Sequence, residues 1–322
     1  MRRLVIDTDA GVDDAVALWW ALTHPEVEVV ALVATWGNVD LPDAVANLAR
    51  ILHASGHPEV PIAVGAGDPI GLTPLMHRAP EVHGRDGLGG HAHRWPTGGI
   101  EPVDEPATEM LARLGAEQSG HIDLVTIGPL STLAEALAAH PELVQDYRSL
   151  TVMGGSVLSG GNALPAGEAN IAHDPEAAAR VVTAGWTTEE PPLLVGLDAT
   201  MAALLSVDED LAAARASDTV AARFIADPMV GYAEFYASTR QTPAGTFPCH
   251  DLLAVMAAAG RPVITEAPVL PLAVDTGGSA AWGATVADRR VVAQHTIPGF
   301  APWRVALGVD ADVFRAGLRS LL

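Results

Sequence analysis

The chain of 322 residues is 49% hydrophobic, enough to bury a substantial core and contrary to disorder. Its 39 acidic against 18 basic residues leave a formal net charge of −21 and no basic footprint for a phosphate backbone, so a neutral or cationic small molecule is the expected partner and nucleic acid is not. A single cysteine, Cys249, excludes an intramolecular disulfide framework and fits a reducing compartment.

Met1-Arg2-Arg3 leads directly into an apolar run at 4–6, so neither a signal peptide nor a membrane span is expected, and cytoplasmic residence is the default. From there β-branched runs alternate with alanine- and leucine-rich stretches. The runs at 4–6, 27–35, 122–127, 150–153 and 193–195 predict strands. Apolar residues at helical spacing predict helices over 14–22, 43–54, 107–117, 130–139 and 175–184, punctuated by Pro141, Pro175 and Gly185. The final third carries helical patterns over 211–239, with a break expected near Pro228, and over 251–259, and strand-like runs at 269–274, 284–286 and 291–296. Two stretches, 65–99 and 154–170, resist regular assignment, and loops that long in a compact domain are usually functional. With no repeat, low-complexity linker or charge break, residues 1–322 read as one domain. The alternation predicts an α/β fold with a mostly parallel, doubly wound, Rossmann-like sheet, surrounding helices and long active-site loops. Ligands in such a sheet sit beyond the carboxyl ends of the strands, where residues 7–14, Trp36-Gly37-Asn38, Gly128-Pro129 and Gly154-Gly155 all fall.

The segment Asp7-Thr8-Asp9-Ala10-Gly11-Val12-Asp13-Asp14 packs four carboxylates between a strand and a helix. In extended chain Asp7 and Asp9 share a face, while Asp13 and Asp14 fall where the helix begins. Two carboxylates about 4 Å apart repel by roughly 4 kcal/mol at an effective dielectric of about 20, against only about 1 kcal/mol returned by a helix amino terminus. A hard divalent ion answers this better, since all the donors are oxygens and no cysteine or histidine stands nearby to favour zinc. A helix cap would use one carboxylate, not four. An EF-hand counted from Asp7 would need an acid at Gly11 and a glutamate at Leu18. A haloacid-dehalogenase phosphatase would continue Asp-x-Asp with Gly-Thr or a similar turn rather than Ala10-Gly11-Val12.

With these residues in view, the chain resembles the calcium-dependent, inosine-uridine-preferring nucleoside hydrolases. Their opening Asp-Thr-Asp-Pro-Gly-x-Asp-Asp-Ala differs here only at Ala10. Further motifs follow in order: Gly37-Asn38, His83-Gly84-Arg85-Asp86-Gly87-Leu88-Gly89, Ile127-Gly128-Pro129-Leu130, Met153-Gly154-Gly155, Gly161-Asn162, Glu168 with Asn170, Asp174-Pro175 and His250-Asp251. No one pair is specific, but the ordered set is.

The resemblance implies a calcium ion held by Asp9, Asp14, the backbone carbonyl of Ile127 and Asp251, with water and the ribose 2′- and 3′-hydroxyls completing the shell. It makes Asp9 the general base for the attacking water and Asp7 a support behind it. It places Asp13, Asn38, Glu168 and Asn170 on the ribose hydroxyls, Asn162 toward the 5′ side, and Met153 under the sugar, a set suited to rejecting deoxyribose. His250 resembles the histidine that some members place near the base, where it can assist the leaving group. Tyr232 and Tyr236, four apart on a predicted helix, share a face and are candidates for base stacking or proton delivery. The reaction implied is hydrolysis of a ribonucleoside to base and ribose, with pyrimidine or broad specificity slightly favoured by His250, in a homodimer or homotetramer. A hydrolase of another N-riboside and a non-catalytic calcium-dependent ribose-binding protein are the alternatives.

Other features are read more simply. His77, His83, His91 and His93 fit no zinc spacing and are assigned to a mobile flap, in which His83 closes over the 5′ end of the sugar. Trp19, Trp20 and Trp186 are expected in the core or at oligomer contacts, whereas Trp36 and Trp95 are left open between core and crevice. Cys249 has no positive environment that would activate it. Ala10 in place of proline removes a rigid φ but no donor. Ser131-Thr132, where the family often has Thr-Asn, can alter only the turn beside Ile127.

Overall fold

The computed structural model describes residues 1–71, 78–290 and 297–322. The chain opens with β1 (Arg2–Thr8), α1 (Val12–Thr23), β2 (Val27–Ala34), α2 (Leu41–Ser55) and β3 (Ile62–Val64). A connection containing α3 (Pro80–His83) and a 3-10 turn at Ala92–Arg94 leads to α4 (Ala107–Glu117), β4 (Asp123–Thr126), α5 (Ser131–Ala139), α6 (Leu143–Asp146) and β5 (Ser149–Met153). Next come α7 (Ala169–His173), α8 (Pro175–Val182), β6 (Leu193–Val195), α9 (Leu197–Thr200), β7 (Leu204–Ser206), α10 (Ala212–Ala216), α11 (Val220–Thr239), β8 (Thr246–Pro248) and α12 (His250–Ala258). The chain closes with β9 (Ile264–Glu266), β10 (Val269–Val274), β11 (Thr285–Ala287), β12 (Ala301–Val305), β13 (Gly308–Val309) and α13 (Ala311–Arg319).

Nine strands form one sheet in the order β11-β10-β12-β6-β5-β4-β1-β2-β3. From β12 to β3 every neighbouring pair is parallel, and β10 pairs antiparallel with both β12 and β11. The first three strands run outward from β1 in one direction and the next three in the other. The reversal therefore lies between β1 and β4, where a doubly wound sheet opens its crevice. Leu4 and Ile6 of β1 join the apolar core on one face with α1, α2, α11 and α12, while Val5 joins the opposite core with α4, α5 and α8. Burial on both faces explains why these strands read as continuous apolar runs rather than alternating ones.

Several expectations shift. The predicted break near Pro228 is not there: α11 runs through that proline, and the chain breaks instead before Thr219, whose side chain caps α11 by accepting from the Ala222 amide at 3.0 Å. The irregular stretch 65–99 contains α3, and 154–170 leads into α7. Strand β12 has no strand-like pattern in the sequence, because Pro302 interrupts its run. It sits opposite Pro271 of β10, a pairing in which neither ring is asked for a ladder bond. The strand-like run 291–296 and His77 lie outside the described residues.

Candidate active site

The acidic segment ends β1 and opens α1 through a tight turn. Ala10 has φ 54°, a left-handed conformation that costs an ordinary residue roughly 1–2 kcal/mol. Its N–H donates to Thr8 Oγ1 at 3.1 Å, and the Thr8 hydroxyl in turn donates to Asp14 Oδ1. Alanine here does more than free a dihedral. It supplies a donor that proline lacks, at a φ that a proline ring cannot reach. The Gly11 amide donates to Asp14 Oδ2 at 2.8 Å, so Asp14 is fixed at the first turn of α1.

Helix α12 packs against α1 and brings Asp251 to the same place. One carboxylate oxygen each from Asp13, Asp14 and Asp251 lie within 4.8 Å of one another, all buried. Asp9 sits beside them, its carboxylate accepting from the Asn38 backbone amide at 2.7 Å and the Asn38 side chain at 3.1 Å. That approach needs Gly37, since a Cβ there would fall 2.0 Å from Asp9 Oδ2. Burial first, and then the charge of Asp14, pushes the Asp9 carboxyl well above its usual range. Burial followed by Asp13 and Asp14 does the same to Asp251, and burial followed by Asp13 raises Asp14. Desolvated, mutually repelling oxygens with no arginine lining the cavity among the described residues fit a hard divalent cation. Asp7 stands apart inside β1, fully buried, opposite Thr126 of β4, and its backbone carbonyl accepts from the Ile127 amide at 2.8 Å.

Ile127 and Met153, at the ends of β4 and β5, line the cavity, and the Asn170 amide donates to both of their carbonyls, at 3.1 and 3.2 Å. Glu168 caps α7, accepting from the Asn170 and Ile171 amides, and also takes the Gly155 amide at 2.8 Å. Burial outweighs those bonds and lifts its carboxyl to about 6. Asn162 reaches the cavity while its Oδ1 accepts from the Ala169 amide at 2.9 Å. The predicted sugar-binding residues Asp13, Asn38, Met153, Asn162, Glu168 and Asn170 therefore border one cavity.

His83, Tyr232, Tyr236 and His250 line the same cavity, with His83 Nδ1 3.9 Å from Asp13 Oδ1. His83 is buried on α3, and its Nδ1 accepts from the Val12 amide at 3.1 Å, which leaves the proton of the neutral ring on Nε2. It is one of the residues lining the cavity. Tyr232 is committed elsewhere, because its hydroxyl donates to Asp13 Oδ2 at 3.1 Å beside the His250 amide at 3.2 Å. Tyr236 meets His250 Nε2 at 2.8 Å, and Thr200 Oγ1 meets Nδ1 at 2.7 Å. Burial pushes His250 down to about 4, so at neutral pH the ring is uncharged. Thr200 was not singled out in the sequence, although it lies just past the carboxyl end of β6, where ligand-facing loops begin. Phe235 and Gln241, which also line the cavity, carried no signal of their own.

The remaining candidates fall outside the crevice. Trp36 is buried, and its indole N–H donates to Ser131 Oγ at 3.0 Å, while Ser131 donates to Asp174 at 2.7 Å. Thr132 accepts from the Ala66 amide at 2.9 Å, so the Ser131-Thr132 pair ties the loops beneath the site. Trp19 and Trp20 are core residues, and Trp95 packs on Phe224. Among the described residues His91 and His93 join no metal-binding group. Cys249 is buried with its thiol pushed well up, as an inert cysteine would be.

Buried carboxylates and the side-chain amides of Asn38, Asn162 and Asn170 border one cavity at the switch point of a doubly wound α/β sheet, the architecture of a small-molecule enzyme of that class. The family model for the inosine-uridine preferring nucleoside hydrolases matches residues 4–316. A pyrimidine-specific ribonucleoside hydrolase, RihA, of Shewanella woodyi is 33% identical over 324 aligned positions covering 100% of this chain and 96% of the relative. A probable uridine nucleosidase of Oryza sativa subsp. japonica is 35% identical over 74% of this chain and 71% of its own. Among solved structures, the plant nucleoside hydrolase PpNRh1 superposes with a TM-score of 0.90 at 29% identity, covering 99% of this chain and 98% of that one. A purine-preferring ribonucleoside hydrolase from Gardnerella vaginalis gives 0.85, also at 29% identity, over 99% of each chain. The chain belongs to the inosine-uridine preferring nucleoside hydrolase family. It is a ribonucleoside hydrolase, an enzyme that splits the N-glycosidic bond between base and ribose.

Proposed function

We propose that the enzyme hydrolyses pyrimidine ribonucleosides, with broader tolerance of bases, using calcium, and that it works as a homodimer or homotetramer of one-domain chains in the cytoplasm. The observation that carries the catalytic reading is the meeting of Asp13, Asp14 and Asp251, from the first turns of two packed helices, beside an Asp9 fixed by Asn38. The resemblance to the RihA and uridine nucleosidase relatives supports the pyrimidine preference.

In this reading Asp9, Asp14, Asp251 and the carbonyl of Ile127 hold the cation. When bound, calcium would acidify a water and orient the ribose hydroxyls. Asp9, fixed by the Asn38 amides, takes the proton from the attacking water. Asp13, Asn38, Glu168 and Asn170 grip the 2′- and 3′-hydroxyls, and a deoxyribose would leave these buried groups unpaired. Met153 packs under the ring, while Asn162 and His83 meet its 5′ side. Carboxylates around the sugar stabilise its oxocarbenium character as the bond to the base breaks. At the base end the Tyr236–His250 pair offers a hydrogen bond to the departing ring. Asp13, Glu81, Glu168 and Asp251 line the cavity with no arginine among the described residues, so a 5′-phosphate is disfavoured.

Metal analysis combined with a reducing-sugar assay on ribo-, deoxyribo- and 5′-phosphorylated nucleosides tests the proposal. Stoichiometric calcium and faster release of ribose from uridine and cytidine than from inosine are expected. Release from none of them, or from nucleotides alone, overturns it.

A further inference from the structure

Asn47 lies on α2, fully buried and behind the cavity rather than in its lining. Its side-chain amide donates to the Ala10 carbonyl at 3.2 Å and to the Asp86 carbonyl at 2.8 Å, and its Oδ1 accepts from Arg50 at 3.0 Å. Both amide protons and the acceptor are thus engaged. One carbonyl belongs to the left-handed residue inside the acidic turn, and the other to the loop that follows His83. The two loops touch at this point, since a Cβ on Gly87, at φ 76°, would fall 2.7 Å from Asn47 Nδ2 and 3.0 Å from the Ala10 carbonyl oxygen.

We propose that Asn47 is a positioning residue for the hydrolysis. By bridging Ala10 and Asp86 it holds the acidic turn in its left-handed form and sets the His83 loop in register with it. The inference rests on the catalytic reading above. An alanine in that conformation is not held there by its own preference, so something outside the turn must hold it. Asn47 is placed to do so through the Ala10 carbonyl, while Thr8 holds the N–H side of the same residue. The same amide ties in Asp86, whose carboxylate accepts the Leu88, Gly90 and Ala92 amides at 2.8–3.0 Å and so shapes the loop carrying His83. His83 returns a second link to the turn through the Val12 amide. Small displacements of positioned groups are costly in rate, so loss of the bridge is felt in catalysis although Asn47 never touches substrate.

Asn47→Ala should lower kcat/KM for uridine about ten- to a hundredfold, with a rise in KM as the His83 loop loses its register. A merely structural role would not account for the second result. Glycine adopts the left-handed form without penalty, so adding Ala10→Gly should recover part of the loss in the Asn47→Ala background and gain much less in the wild-type one. The calcium concentration giving half of the thermal stabilisation should rise in Asn47→Ala and move back in the double variant. Should Asn47→Ala fail to fold, the nearly isosteric Asn47→Asp serves, because a carboxylate cannot donate to either carbonyl. A kcat/KM within about twofold of wild type, or an equal effect of Ala10→Gly in both backgrounds, overturns the proposal. Wild-type protein inactive on every ribonucleoside would instead sink the catalytic reading itself.

Discussion

Tyr236 and His250 are joined hydroxyl to ring nitrogen at 2.8 Å, with Thr200 closing the other nitrogen. A histidine engaged on both sides and held neutral by burial is a poor free acid, and burial also pushes the Tyr236 hydroxyl up, so what the pair can offer the leaving base is an oriented hydrogen bond rather than a free proton. Tyr236→Phe should cut kcat for uridine by about a hundredfold while sparing p-nitrophenyl riboside, whose leaving group needs no proton. Parallel losses on both substrates would make Tyr236 a packing residue.

Asp9 carries the next expectation. Asp9→Asn keeps the shape and one acceptor toward Asn38 but removes the base, so kcat should fall by about a hundredfold to ten-thousandfold, with substrate binding still measurable by calorimetry. Turnover near the wild-type rate would move the base elsewhere.

Chelation separates the two faces of the acidic cluster. Without a cation the buried carboxylates repel, so added calcium at about a hundred times its Kd should stabilise the wild type by about 3 kcal/mol, visible as a rise in Tm. Asp14→Asn should abolish that response and yet melt higher than wild type in chelator, because one of the opposed charges has gone. A lower Tm in chelator would mean that the repulsion is already relieved by other means.

Acid stability should report on His250. Its folded pKa of about 4 lies below the ordinary 6.5, so between those values the unfolded chain binds a proton that the folded one refuses, and stability falls as pH drops through that window. The contribution is of the order of 3 kcal/mol at the bottom of the window and vanishes above it. The raised carboxylates pull the opposite way, so the measurement is a difference between urea unfolding of wild type and of His250→Gln from pH 4 to 7. Profiles that stay parallel would remove His250 from the account.

The parts of the fold legible in the sequence were those whose signal is local. The predicted runs that became β1, β2, β4, β5 and β6 are β-branched and buried on both faces, and α4 has apolar residues at helical spacing along its whole length. The acidic segment betrayed its chemistry because four like charges so close together need an explanation. Strands of two or three residues, such as β7, β9 and β13, are too short to carry a period. Pro228 misled because a proline's local cost is overridden when the helix packs on both sides of it. Thr200 and Asn47 act through partners 50 and 37 residues away, and spacing carries no trace of such contacts.

Asp14 and Asp251 lie far apart in sequence and meet only once α12 has docked on α1. The second is synthesised more than two hundred residues after the first, so an emerging polypeptide carries an acidic turn with no counterpart. A cation that needs both cannot seed folding of the early strands. Such a cation would work as a lock, engaging once α12 has docked on α1 and favouring the assembled crevice over forms in which the two helices are apart.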